Sequence, residues 1–388
     1  MTKDSSIKTQ HAAKGFTRRT LMKTTVATGA IAVASPAIVR DAFSSSGEID
    51  ILMWSDYLPE GFVNSFTNDT GIKLNFTGIG SNEEIINKMK ATQGTGFDLC
   101  SPTNMKGAIW SDLGLLKPFD AKKLSNIGNV NPPMIAIGDN EWNFGGKGSH
   151  WLPHIWGTEG MGWRTDKWAP ADGEPSYGDV WDKANAGKTM MRAHSGMLGA
   201  GLYLERIGKM KPGSTLVDAY QSEEKFRVVW DQITKFCIEN KGNLKLLWDD
   251  ADTQKNGLLN EGVIVGQTWD GPPIAMKNSG EPITYQAPKE GAMAWVDGVA
   301  MPTGAKNIDQ IYAFIDYCYK PEPAGKAIDD HGYNSVVLGA DGFAGQAYKK
   351  NFAEAYPGSA LGNLNPWPAE QTWYADVRSE YVNKFKTA

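Results

Sequence analysis

A chain of 388 residues, 41% hydrophobic and 21% charged, has enough apolar material for two domains, each with its own core. Its formal net charge of −5 speaks against nucleic acid as a partner and mildly favours cationic ligands. The three cysteines, Cys100, Cys237 and Cys318, form no Cys-x-x-Cys or Cys/His cluster. Neither a disulfide framework nor a structural zinc site is indicated, and a single disulfide of unassigned partners stays open.

The first segment reads as an export signal. Thr17-Arg-Arg-Thr-Leu-Met-Lys23 resembles the twin-arginine pattern, and a short apolar run from Val26 to Val33 leads to small-residue cleavage sites ending at Ala34 or Ala37. The run is too short to stay as a membrane span. Residues 1–37 are therefore expected to be removed, with 38–47 a link into the mature chain. The leader carries Lys3, Lys8, Lys14, Arg18, Arg19 and Lys23 against Asp4, so its loss leaves the rest more acidic.

Ile49–Trp54 reads as a buried strand, and Ser55–Glu60 as a loop into a helix whose Phe62, Val63 and Phe66 share a face, with Gly71 as its stop. Ile72–Phe76 alternates as a second strand. Ser81-Asn-Glu-Glu84 is a capping box opening a helix that buries Ile85, Ile86 and Met89. Phe97–Pro102 is a third strand. This β-α-β-α-β series predicts a parallel sheet covered by helices, with ligands beyond the carboxyl ends of its strands. Trp54 to Tyr57 and Pro102 to Met105 lie at those ends.

From Asp120 to Trp151 the chain has no clear period and reads as loops. Trp151–Trp163 reads as a strand pair crossing between lobes. In the second α/β region Lys188–Arg192 and Val263–Trp269 are strands. Met197–Lys209, Ser222–Glu239 and Asp249–Glu261 are helices. In Glu290–Pro302, Met293, Trp295 and Asp297 point to one side of a strand. That places a ring and a carboxylate ~7 Å apart, a pairing suited to an organic cation. Ile308–Tyr319 is an amphipathic helix.

Several segments together carry a family resemblance: Trp54-Ser-Asp-Tyr57, Gly71-Ile-Lys73, Ser81-Asn-Glu83, Phe97-Asp-Leu99, Pro153-His-Ile-Trp-Gly157, Trp269-Asp-Gly271 and Pro288-Lys-Glu-Gly-Ala-Met-Ala-Trp-Val-Asp-Gly-Val-Ala-Met-Pro302. In this order the chain resembles the spermidine/putrescine-binding proteins of bacterial polyamine ABC importers, over 48–388. The resemblance implies an α/β, type II periplasmic binding fold with two lobes closing on a cleft like a hinge. The first part of lobe 1 is expected at 48–154, lobe 2 at 155–296, a return segment of lobe 1 at 297–340, and C-terminal helices packing on lobe 2 at 341–388. It also implies a periplasmic protein that delivers its ligand to a permease with a cytoplasmic ATPase. A monomer is the default expectation, and no cofactor or metal is expected.

Carried over residue by residue, Trp54, Asp56, Tyr57, Trp269, Trp295, Asp297 and Tyr333 match cleft positions of that family. Thr103 and Met105 match a Ser/Tyr pair in part, and Asp270 lies near a carboxylate position. One departure matters. The acids that spermidine binders carry after the first strand of the second lobe fall here near Ser195 and Leu198, where no acid stands. A buried ammonium without a partner is costly. Either Glu159 or Asp270 takes that role, or the ligand is shorter, less charged or not a polyamine. The glycine-rich stretch around Ser195 also offers backbone N–H groups to a neutral or anionic ligand end. The alternatives are another solute, such as a quaternary amine, an amino-acid derivative or iron, and an exported enzyme. Asp270, before Gly-Pro-Pro, also fits a plain helix cap. Neither a nucleophile elbow, a phosphate loop nor a metal cluster is present to support catalysis.

Overall fold

The structure is a computed structural model that describes residues 47–388. The expected export signal, and all of the link but Gly47, lie outside the described residues. In strand β1, Glu48–Trp54, the residues Ile49, Ile51, Leu52 and Met53 are fully buried. The next helix, Glu60–Thr70, buries Phe62 and Phe66 and stops where expected. Gly71 takes φ +74° and donates its N–H to the Thr67 carbonyl, a backbone state glycine adopts without strain. Strand β2, Lys73–Ile79, pairs parallel with β1 from Glu48–Lys73 to Trp54–Ile79. Helix Asn82–Ala91 is capped by Ser81 Oγ, which accepts from Glu84 N at 3.1 Å. The Glu84 carboxylate reaches one residue further back than a capping box requires and accepts from Gly80 N. Strand β3, Leu99–Cys100, pairs on the other side of β1, so the first sheet has the order β2-β1-β3.

The expected loop region after Asp120 contains a helix, Pro132–Glu141. Its signal is weak because only Met134, Ile137 and Gly138 face inward, and proline in the first turn, a helix-compatible position, reads equally well as a breaker. Trp151–Trp163 also differs from the expectation. Strand β5, following the short β4 at Leu116–Lys117, is one continuous strand of 13 residues, Leu152–Arg164. Its glycines give room to the neighbouring side chains of Trp295, Tyr285 and Thr268.

Five strands follow: β6 (Thr189–Arg192), β7 (Leu244–Trp248), β8 (Val265–Trp269), β9 (Ile283–Gln286) and β10 (Met293–Val299). The remaining strands are short: β11 (Met301–Pro302), β12 (Asn334–Ser335) and β13 (Asn365–Pro366). The second sheet is eight-stranded, in the order β13-β10-β5-β8-β6-β7, with β9 and β12 also pairing with β5. β10 is the link between the sheets. Its register on β5 slips between Asp297 and Gly298. From there its backbone bonds to the end of β3, Gly298 N to the Pro102 carbonyl and Ala300 N to the Cys100 carbonyl. Such a slip re-aims a strand, and here it puts Asp297 at the crossing between sheets.

The helix after β6 starts at Ala193, four residues ahead of the expected Met197, because β6 runs directly into it. Helix Glu223–Glu239 buries Phe226, Val229, Trp230 and Ile233, and its Phe226 and Trp230 meet Tyr381 of the last helix, Tyr374–Thr387, with ring centres 5.6 and 6.1 Å apart. Cys100, Cys237 and Cys318 are all buried and free. Burial pushes each thiol's pKa upward, so all three act as small apolar groups.

Candidate functional site

Register brings the central residues together. Met293, Trp295 and Asp297 alternate onto one face of β10, opposite Glu159, Gly157 and Ile155 of β5, and Glu159 stands opposite Trp269 of β8. Trp295 fits because residue 157 is glycine. A Cβ there would lie 2.5 Å from the Trp295 ring and 2.7 Å from Asp270 Oδ1. Gly157→Ala is therefore expected to displace the Trp295 ring, cost ~1–3 kcal/mol of stability and weaken ligand binding. Unchanged thermal midpoint and affinity in that variant would show that the ring has room to give.

Trp54, at the end of β1, donates Nε1–H to the Ser101 carbonyl at 3.0 Å and meets Trp269 edge-on, with centroids 5.9 Å apart. Tyr57 and Tyr333 rings meet at 5.3 Å, and Tyr333 and Trp295 at 5.7 Å. With Thr103 and Met105, these rings line a narrow cavity of about 40 Å³, room for a few waters. A wider depression of about 620 Å³ adjoins it and shares Glu83, Arg192, His194 and Arg378 with it.

The acids in the cavity differ in how they are partnered. Asp297 is 3% exposed. The Tyr57 hydroxyl donates to its Oδ2, and its Oδ1 has no hydrogen-bond partner. Burial pushes this carboxyl up to about 7, against the hydroxyls of Thr103 and Tyr57 and the charge of Arg192, which pull it down. Asp56 is half-buried and also raised by burial. The Tyr333 hydroxyl opposes that shift, and Asp56 Oδ2 is left without a partner. Glu159 is better satisfied. Its oxygens accept from Gln267 Nε2 and, at 3.2 Å, from Trp269 Nε1, with the Ser195 hydroxyl beside them.

Two expected site residues are not on the cavity wall. Ser195 is fully buried in the first turn of its helix, in contact with Gln267. Asp270 is fully buried under the wall, where its Oδ1 accepts from Gly271 N at the start of helix Gly271–Asn278. Its Oδ2 accepts from Asn334 Nδ2 at 3.0 Å and Tyr356 Oη at 2.7 Å. The helix-cap reading of Asp-Gly-Pro-Pro is the one the geometry supports, and of the two acids considered as substitutes only Glu159 faces the cavity.

Residues that sequence reasoning missed supply the opposite charge. Arg192 is 5% exposed, with its guanidinium 4.9 Å from the Trp269 ring centre and 5.8 Å from that of Trp248. Its Nη2 donates to the Gly80 carbonyl at 2.8 Å, while Nε is buried without a partner. The Trp269 ring, expected to take a ligand cation, thus already carries a protein cation. Farther along, Lys106 pairs with Glu370 at 2.5 Å and Glu83 at 3.4 Å. Arg378 pairs with Glu83 at 2.5 Å and Glu370 at 3.1 Å. Burial alone would raise the Glu83 carboxyl, but Lys106 and Arg378 hold it well below its ordinary value. His194 is kept neutral by burial and by the cations around it. One signal for Arg192 was available: it closes a strand of a parallel pair, where the carboxyl-end rule applies as it does at Trp54.

Residues 61–353 match the family described as bacterial extracellular solute-binding protein. The spermidine/putrescine-binding periplasmic protein of Escherichia coli (strain K12) is 24% identical over 361 residues, 93% of this chain and 97% of that one. The putrescine-binding periplasmic protein PotF of the same organism is 29% identical over 300 residues, covering 73% and 76%. Among solved structures, the spermidine/putrescine ABC transporter substrate-binding protein PotD of Streptococcus pneumoniae superposes with a TM-score of 0.65. It is 24% identical, with 88% of this chain and 98% of that one covered, and it shares the α/β periplasmic binding fold. A family match across most of the chain agrees with a buried slot of rings and carboxylates, two of them with a free oxygen, at the crossing of two sheets: the chain belongs to the bacterial extracellular solute-binding proteins, which bind their solutes rather than transform them.

Proposed function

We propose that the mature chain captures a polyamine or related organic cation in the periplasm and hands it to the permease of an ABC importer with a cytoplasmic ATPase. It acts as a monomer after export through the twin-arginine signal at 1–37. The observation that carries this reading is Asp297: a buried carboxylate with one oxygen unpartnered, in a cavity walled by Trp295, Tyr57 and Tyr333. An ammonium there gains a charge-assisted hydrogen bond from Asp297 and ring contacts of ~0.5–2 kcal/mol each. Asp56 and Glu159 add acidity, and only Arg192 opposes it outside the four charges that pair among themselves. The relatives, spermidine/putrescine-binding and putrescine-binding periplasmic proteins, point the same way.

Iron capture is the weaker reading. Tyr57 and Tyr333 do meet, but burial and neighbouring acids push both phenols well above their ordinary pKa, and Tyr57 spends its proton on Asp297. A thermal-shift panel of spermidine, putrescine, monoamines, betaines, amino acids and ferric iron tests the assignment. A ligand that binds only the folded state at 100 times its Kd adds ~2.7 kcal/mol, so at least one amine should raise the midpoint by several degrees. Shifts with ferric iron alone, or with no amine at all, would overturn the ligand class and leave the fold untouched.

A further inference from the structure

The cavity wall carries two buried groups of opposite charge, Asp297 and Arg192. On Asp297 one buried carboxylate oxygen lacks a hydrogen-bond partner, and on Arg192 one buried N–H does. Arg192 Nε is orphaned, and no carboxylate of the described residues lies within ion-pair distance of the guanidinium. Glu159 is close enough to feel its charge, but its oxygens are taken by Gln267 and Trp269. A buried guanidinium with an unused donor is as costly as a buried carboxylate with an unused acceptor. Its planar fork fits the two oxygens of a carboxylate. The place also matters: Arg192 ends β6, on the side of the cleft where an ammonium-binding acid was expected and none stands. An ammonium beside Arg192 would meet a like charge in a low-dielectric site.

We infer that the ligand is an amine that also carries a carboxylate, with its ammonium at Asp297 and its carboxylate on Arg192. The solute class is that of ω-amino acids and diamino acids rather than simple diamines. This deepens the proposed function and rests on the amine subsite at Asp297. Such a ligand leaves neither orphan unsatisfied, whereas a diamine satisfies one and confronts the other.

The test is calorimetry on the mature protein with putrescine, δ-aminovalerate and ornithine, which offer a similar methylene spacer with different ends. At least one of the two carboxylates should bind ~tenfold or more tighter than putrescine, a difference of ~1.4 kcal/mol. Arg192→Gln should remove that preference, and Arg192→Lys should keep part of it, since a point charge lacks the planar fork. Putrescine binding as tightly as both carboxylates, or tighter, overturns the inference and leaves the amine subsite standing. No binding by any of the three also overturns the inference, while the fate of the amine subsite is read separately from the thermal-shift panel with spermidine and the other amines. The wild-type comparison decides the matter if Arg192→Gln does not fold.

Discussion

Replacing Asp297 with Asn is expected to weaken binding of the amine ligand by ~30-fold or more. The reason is the burial of the pair. Cutting one partner of a desolvated charge pair costs ~2–5 kcal/mol, because the other charge stays buried without compensation. The substitution is close to isosteric. An amide oxygen can still accept from the Tyr57 hydroxyl that now bonds Oδ2, so the ligand-free fold should survive.

The same residue sets a pH dependence with a definite sign. In the ligand-free protein the Asp297 carboxyl is pushed up to about 7, so below that pH an arriving ammonium must displace a proton. Amine affinity should rise with pH by up to ~tenfold per unit below about pH 7 and level off above it, with proton release on binding near pH 6. For stability, a carboxyl whose folded pKa lies above its unfolded value is a cost present above about pH 7. That cost fades as pH falls toward the ordinary carboxylate range. Asp270 and Glu141, also raised to about 7 by burial, add slopes of the same sign, so the informative quantity is the difference between variant and wild type. Asp297→Asn should give a flat affinity profile and a midpoint at pH 8 no lower than the parent's. An affinity within threefold of wild type, or an unaltered pH profile, would remove Asp297 from the binding site.

Most of the first sheet was legible because its signals are local. Ser81 and Glu84 sit one turn apart, Gly71 closes a helix with a positive φ, and β1 is an unbroken apolar run. The face shared by Met293, Trp295 and Asp297 followed from a period of two. β5 was expected as a strand pair and is one strand. Which side chain uses the space at its glycines was hidden, because the Trp295 ring that lies over Gly157 comes from 138 positions downstream. Asp270 was undecidable between cap and ligand because both uses want an acid at a strand end. Glu370 and Arg378 left no trace at all: their meaning comes from Lys106 and Glu83, which only the tertiary fold brings to them.

That four-membered cluster leads to the second large effect. Glu370→Gln is expected to destabilise the ligand-free protein by ~3–5 kcal/mol, the usual cost of breaking a buried pair from one side. Glu370 is fully buried, and its partners Lys106 and Arg378 are 2% and 6% exposed. With the carboxylate gone, Glu83 alone must balance two cations, and at 42% exposed it is the most wetted of the four. The loss should resist salt, since buried charges are screened little. Removing the opposite charge as well separates this mechanism from simple packing damage. Lys106→Met with Glu370→Gln leaves the Arg378–Glu83 pair neutral, so the double variant should regain most of the stability lost by the single one. Urea unfolding of the parent, both single variants and the double variant gives the coupling energy directly. A double variant as unstable as the sum of its parts would show that Lys106 and Glu370 act independently, as packing groups rather than as a charge pair. If the pair governs, the cluster also ties Glu83, on the helix after β2, and Lys106, beyond β3, to the last helix through Arg378. Loss of Glu370 should then weaken the tie across the cleft, and amine affinity should fall along with stability.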